Sequence, residues 1–259
     1  MLQKDTIKPL GILPTVIFYL VPAIILYVTH YLIVPSYLQR TGFPYLTGYI
    51  IGWFPTMLMF FIAALAAYRM EGNPWTGKSF ADRYRLKRIS GKDMIWTLAV
   101  LVFMGVTYFG LAFTTELLAR VTIFAPHPSF APEFGPEGAS AHVPGAFMGM
   151  VLKGKWWVAA VFFLGWFFNI AGEELWFRGY ILPRQERAFG KNAWIANGIM
   201  FWLNHIWQPW NLLILLPGIL FGVYAVQRRQ NTWILLISHG LLNFTLPVIV
   251  LLNVSGFSV

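Results

Sequence analysis

Six stretches of the chain lack Asp, Glu, Lys and Arg altogether: 9–39, 41–68, 94–115, 156–172, 192–227 and 230–259. A helix needs roughly 20 apolar residues, at 1.5 Å per residue, to cross a hydrocarbon layer of about 30 Å. Five of the six stretches each hold one such span. The remaining one, 192–227, would run to about 54 Å as a single helix, and Gln208-Pro209-Trp210-Asn211 interrupts it. It reads as a hairpin of two short spans, which brings the expected total to about seven. The apolar runs are continuous rather than alternating, which argues against a β-barrel. The expected fold is therefore all-α, a polytopic bundle of transmembrane helices.

Composition agrees. Of the 259 residues, 58% are hydrophobic and 11% charged, with mean hydropathy +0.61, whereas soluble domains carry about 25% charged residues. Cysteine is absent, which excludes a disulfide framework, a thiol nucleophile and a thiolate metal site. Lys4 and Lys8 precede an apolar run that ends without a small-x-small cleavage site, so the first span is expected to be retained rather than removed as a signal peptide. No internal repeat is evident.

The net charge of +9 acquires meaning from its placement. Assigning loops alternately to two sides puts 14 Lys and Arg on one side and four on the other (Arg40, Arg120, Lys153 and Lys155), with Arg178 inside a span. The positive-inside rule then predicts a cytoplasmic N-terminus. The basic loop 68–92, with Arg83-Tyr84-Arg85-Leu86-Lys87-Arg88, is expected to attract anionic lipid headgroups rather than nucleic acid. The division expected is 1–120 for the N-terminal spans and this loop, 121–155 for a long irregular outer loop rich in proline, and 156–259 for the helices that carry chemistry. His127 and His142 read as solvated residues of that outer loop.

Ionisable side chains at bilayer depth cost several kcal/mol and by default mark function. Glu173, Glu174, Arg178, His205 and His239 fall in that class; His30 and Glu116 read as packing or interfacial residues. Glu174 and Arg178 stand at i,i+4, close enough to pair along one helix face, while Glu173 points about 100° away and is the candidate general base. His239 and Asn243 are also at i,i+4 and face one way. At 1.5 Å per residue, Glu173 lies about 16 Å from Arg184, His205 about 21 Å from Lys191, and His239 and Asn243 about 15 and 21 Å from Arg229. Three separate hydrophobic elements thus place polar groups in one slab near mid-membrane.

At these residues the sequence resembles the CPBP intramembrane proteases, which include the type II CAAX prenyl endopeptidases and the Abi or bacteriocin-immunity proteins. Glu173-Glu174-x-x-x-Arg178, Phe201-x-x-x-His205 and His239-x-x-x-Asn243 match the family's three motifs in order. The resemblance implies an intramembrane endopeptidase acting on membrane-associated proteins or peptides, prenylated CAAX-type ones among them. It implies that Glu173 and His205 activate a water, that His239 and Asn243 stabilise the oxyanion, and that Glu174 and Arg178 hold the site together. Zinc stays open as an alternative: two His and a Glu form a known catalytic set, and Glu173, His205 and His239 would supply it. The glutamate reading, with no cofactor, is preferred because His-Glu-x-x-His is absent.

A serine protease is disfavoured because Ser238, beside His239, points elsewhere, and transport because the spans show no repeated halves. A membrane immunity or regulatory scaffold that binds a partner without hydrolysis is the main alternative. The expected location is the cell membrane, and the short chain without a eukaryotic retention signal suggests a bacterial one. Trp156-Trp157, Trp207 and Trp210 are expected in interfacial belts, and Asn197 and Asn204 as supports of the site.

Overall fold

The computed structural model describes residues 7–138 and 145–257; Lys4 and His142 lie outside the described residues. In chain order the helices are α1 (Ile12–Val28), continued through a π-helical turn (Thr29–Ile33) into α2 (Val34–Thr41), then α3 (Tyr45–Met70), α4 (Gly77–Arg83), α5 (Gly91–Gly110) and α6 (Phe113–Ala119). Beyond the outer loop come α7 (Trp156–Glu173), a π-helical segment (Glu174–Ile181), α8 (Leu182–Phe189), α9 (Ala193–Leu203), α10 (Leu212–Arg229), α11 (Trp233–Asn243) and α12 (Thr245–Ser255). The fold is an all-α polytopic bundle; the sheet among the described residues is a two-residue hairpin, β1 (Ala146–Phe147) against β2 (Met150–Val151).

Six helices, rather than seven, are long and apolar enough to cross a membrane. The shortfall is the first arm of the expected hairpin: α9 has 11 residues, about 16 Å, and is too short to cross alone. It turns back from α8 at Gly190, whose φ of +60° is a conformation glycine adopts at no steric cost, and it packs between α8 and α10.

Loops that were assigned to one side do meet at one end of the bundle. There Leu10 N–H donates to the Arg184 carbonyl (3.1 Å), Thr232 N–H donates to the Arg85 carbonyl (3.0 Å), and Arg229 pairs with Asp93 (2.8 Å). At the other end Leu46 N–H donates to the Met148 carbonyl (3.1 Å) and Gly154 N–H to the Val254 carbonyl (2.9 Å). The basic loop is less free than its charge suggested. Arg83 is buried against Glu71 (2.5 Å) and Arg85 pairs with Glu186 (2.6 Å), which leaves Arg69, Lys78, Lys87, Arg88 and Lys92 as its exposed cations.

The outer segment corrects two further expectations. It is not wholly irregular: 3-10 turns at Thr122–Phe124 and Pro132–Phe134 precede the hairpin, and Phe134 is buried on the bundle. Trp207 and Trp210 pack against Phe134 at 5.6 and 6.2 Å between ring centroids and are buried, so they are core residues rather than members of an interfacial belt. Trp156 and Trp157 are exposed, as such a belt requires. His127 is half-buried and hydrogen-bonded to Ser129 (2.7 Å) rather than solvated. His30 is fully buried, stacked near Trp207 at 4.7 Å, and Glu116 is exposed.

Candidate active site

Proline shapes the element that carries most of the site. Pro183 has no N–H, and its ring excludes the carbonyl four residues earlier, so the turns before it widen into i→i+5 geometry, with Leu182 N–H donating to the Phe177 carbonyl. Such π-helical insertions occur mostly at functional sites. The Gly179 carbonyl, deprived of its helical donor, accepts instead from Arg83 Nη1 (3.0 Å). Phe177 anchors the widened segment: its ring packs on Tyr19 (4.7 Å), Phe60 (5.1 Å) and Phe201 (5.0 Å), from α1, α3 and α9.

Glu173 ends α7 just before this segment, next to Gly172. A Cβ at Gly172 would lie 2.9 Å from both the Met57 carbonyl oxygen and the Phe61 nitrogen. The missing side chain therefore lets α7 press backbone to backbone on α3 beside the Glu173 carboxyl, the role small residues play where membrane helices cross.

Four of the six motif residues are in direct contact. Glu174 is fully buried; its Oε2 lies 3.4 Å from Arg178 Nε, and its Oε1 accepts from His239 Nδ1 at 2.9 Å. Because a carboxylate only accepts, the hydrogen of a neutral His239 is on Nδ1. Its Nε2 then accepts from Asn243 Nδ2 at 3.0 Å. Arg178 is buried with its guanidinium carbon 3.8 Å from the Phe201 ring centroid, a cation–π contact.

The other two are held at one remove. Glu173 is buried, within electrostatic reach of His239 and Arg178. His205 lies in the turn just past α9 rather than on the helix, half-buried, with Nδ1 2.9 Å from the Phe201 carbonyl. A carbonyl can only accept, so Nδ1 carries the hydrogen and Nε2 presents its lone pair. Arg178 and His239 are also within electrostatic reach of His205. Among the described residues no direct hydrogen bond joins Glu173 to His205, and a general base may act through one intervening water.

Zinc places a stricter demand: three donors about 2 Å from one point, each with an unshared lone pair. Both nitrogens of His239 are engaged, on Glu174 and Asn243. Among the described residues no three His, Asp or Glu side chains are grouped so as to hold a metal ion. As arranged, Glu173, His205 and His239 do not fit such a centre. Ser238 is buried and donates to the Ile234 carbonyl (2.7 Å), away from the histidines.

Sequence reasoning passed over Asn169. It is buried on α7, accepts from Asn243 Nδ2 (3.2 Å) and donates to Met57 Sδ (3.0 Å). Its position four residues before Glu173, on the same helix face, is the signal that would have found it. Asn197 does support the fold behind the site, donating to the Phe177 carbonyl (3.0 Å) and to Gln185 Oε1 (2.8 Å). Asn204 is buried beside His205.

Residues 155–245 match the family model described as Type II CAAX prenyl endopeptidase Rce1-like. The matched segment contains all six motif residues. Neither the curated proteins nor the solved structures contain a match to the chain.

Proposed function

From the similarity of residues 155–245 to the Rce1-like type II CAAX prenyl endopeptidases, we propose that this membrane protein is a glutamate-dependent intramembrane endopeptidase of the CPBP kind. Its substrates are membrane-associated proteins or peptides, prenylated CAAX-type ones among them. Glu173, with the free Nε2 of His205, activates a water that attacks the scissile carbonyl. In its Nδ1–H tautomer His239 has no hydrogen left for the developing oxyanion, so Asn243 is the donor, its amide turning from His239 Nε2 as substrate binds, and Glu174 with Arg178 fixes the orientation of His239.

The observation that carries this reading is the chain Arg178–Glu174–His239–Asn243, buried at Arg178 and Glu174, beside Glu173, with His205 offering an unshared nitrogen. A carboxyl base, a histidine with a lone pair and a donor for the oxyanion suffice for water-mediated amide hydrolysis without a covalent intermediate. The engaged nitrogens of His239 support hydrolysis without a resident metal. A non-enzymatic scaffold has no evident use for so many polar groups at this depth, each of which is costly there.

Glu173→Ala and His205→Ala each abolish cleavage of membrane peptides while the protein inserts and folds; retained proteolysis in both variants refutes the proposal. A protective or regulatory effect that survives Glu173→Gln would favour the scaffold. We place the basic end in the cytoplasm, against anionic headgroups, and the chain in a bacterial cell membrane. Because the chain has no cysteine, single cysteines at Lys87 and Lys153 report orientation: in intact cells an impermeant thiol reagent labels position 153 and spares 87, and the reverse pattern refutes the orientation.

A further inference from the structure

Resting on the catalytic reading above, we propose that Asn169 is a positioning residue which sets Glu173 and Asn243 relative to each other through one side-chain amide. Asn169 and Glu173 share a face of α7 one turn apart, which puts the Asn169 side chain near enough to the Glu173 carboxyl to act on its charge. Across the helix interface its Oδ1 accepts from Asn243 Nδ2 at 3.2 Å. The two halves of the amide therefore have separate duties. The oxygen holds the last residue of α11, and the nitrogen, bonded to Met57 Sδ, is the donor left for the carboxyl one turn on.

Among the described residues, no other α7 side chain hydrogen-bonds Asn243. The α7–α11 junction is otherwise fixed by Trp166 Nε1, which donates to the Gly240 carbonyl at 2.9 Å. That bond sets the helices but not the Asn243 amide. Both hydrogens of that amide are directed, one at Asn169 and one at His239 Nε2. Releasing the first frees the amide to rotate and with it the partner that fixes His239. An amide is the side chain suited to this position, because it accepts from Asn243 and donates toward a carboxylate at the same time.

The test uses the full chain in detergent or vesicles and an internally quenched prenylated CAAX peptide. Asn169→Ala is expected to lower kcat about 10²-fold, the scale of a misplaced catalytic group, with KM held within about two-fold because ground-state binding is not what it removes. Asn169→Asp keeps the acceptor for Asn243 but sets a second carboxyl against Glu173, and its kcat is expected to fall at least as far. Met57→Leu removes only the sulfur contact and is expected to leave kcat within about two-fold.

If the alanine variant does not fold, the isosteric aspartate decides. Full kcat in a folded Asn169 variant, or a rise in KM in place of the loss in kcat, overturns the inference while leaving the catalytic reading intact. A wild-type chain inert on the peptide overturns the reading and the inference with it.

Discussion

Two carboxylates in this bundle each meet two basic side chains, and they do so to different ends. At the basic rim, Glu71 accepts from Arg83 Nε (2.5 Å) and Nη2 (2.8 Å), from Asn73 Nδ2 (3.1 Å) and from Arg184. Deep in the bundle, Glu174 accepts from His239, but its Oε2 and the Nε and Nη1 of Arg178 have no hydrogen-bond partner among the described residues. The rim cluster is saturated and ties the basic loop to α8. The deep cluster keeps hydrogen-bonding capacity in reserve and stands beside half-buried His205, His239 and Asn243. Of these two clusters, the saturated one is scaffold and the one with capacity in reserve is the site.

The contrast is open to attack by substitution. Arg178→Ala should have the largest effect on stability: it leaves Glu174 buried with His239 alone, and breaking a buried pair this way costs about 3–5 kcal/mol. A markedly lowered unfolding temperature, together with lost cleavage, is the expected outcome. Glu71→Gln, at a partly exposed clamp, should cost about 1.5–3 kcal/mol, the range for hydrogen bonds to charged groups, and should leave kcat nearly unchanged. If it instead destroyed kcat at full stability, the rim would belong to the mechanism and the distinction would fail.

The rim also predicts a pH dependence. Burial raises the Glu71 carboxyl, but its hydrogen bonds to and the charges of Arg83 and Arg184 outweigh burial and hold it below the usual glutamate range. A carboxyl whose pKa is lowered in the folded state contributes stability above its unfolded pKa and loses it as pH falls through the folded value. Unfolding temperature should therefore drop as pH is taken below the ordinary glutamate range, and more steeply in wild type than in Glu71→Gln. Equal slopes would show that the clamp is not what titrates. The smallest effect is expected at Arg85→Ala, which removes a rim pair with Glu186 that retains some exposure on both sides; about 1 kcal/mol or less should be lost.

The deep cluster was legible in the sequence because charge at bilayer depth is rare enough that every instance signifies something. Glu173, Glu174, Arg178, His205 and His239 could be singled out on that ground and Asn243 by its spacing from His239, and the helical spacing of Glu174 with Arg178 and of His239 with Asn243 foretold two of the observed contacts. Asn169 escaped notice because a single uncharged amide in an apolar helix carries no such signal; its importance comes from α11 passing beside it. The widening at Glu174–Ile181 was implicit in Pro183 but lay inside an apparently regular span.

Elsewhere tertiary packing overrode pattern. Arg83 and Arg85 looked like solvated charges until α8 supplied Glu186 and the end of α3 supplied Glu71. Trp207 and Trp210 looked interfacial until the outer loop laid Phe134 on them. The length of 192–227 was correctly too great for one span, but hydropathy gave no sign that its first arm would stop after 11 helical residues and release His205 into a turn.

The central claim, hydrolysis by a glutamate-activated water, is tested most directly by cleavage of a prenylated CAAX peptide by the purified chain before and after exhaustive chelation, set beside Glu173→Gln. Activity that resists the chelator and falls by about 10²–10⁴-fold in the variant, the range for loss of a general base, is the predicted result. Undiminished cleavage by Glu173→Gln, or wild-type activity that disappears on chelation and returns with zinc, would contradict it.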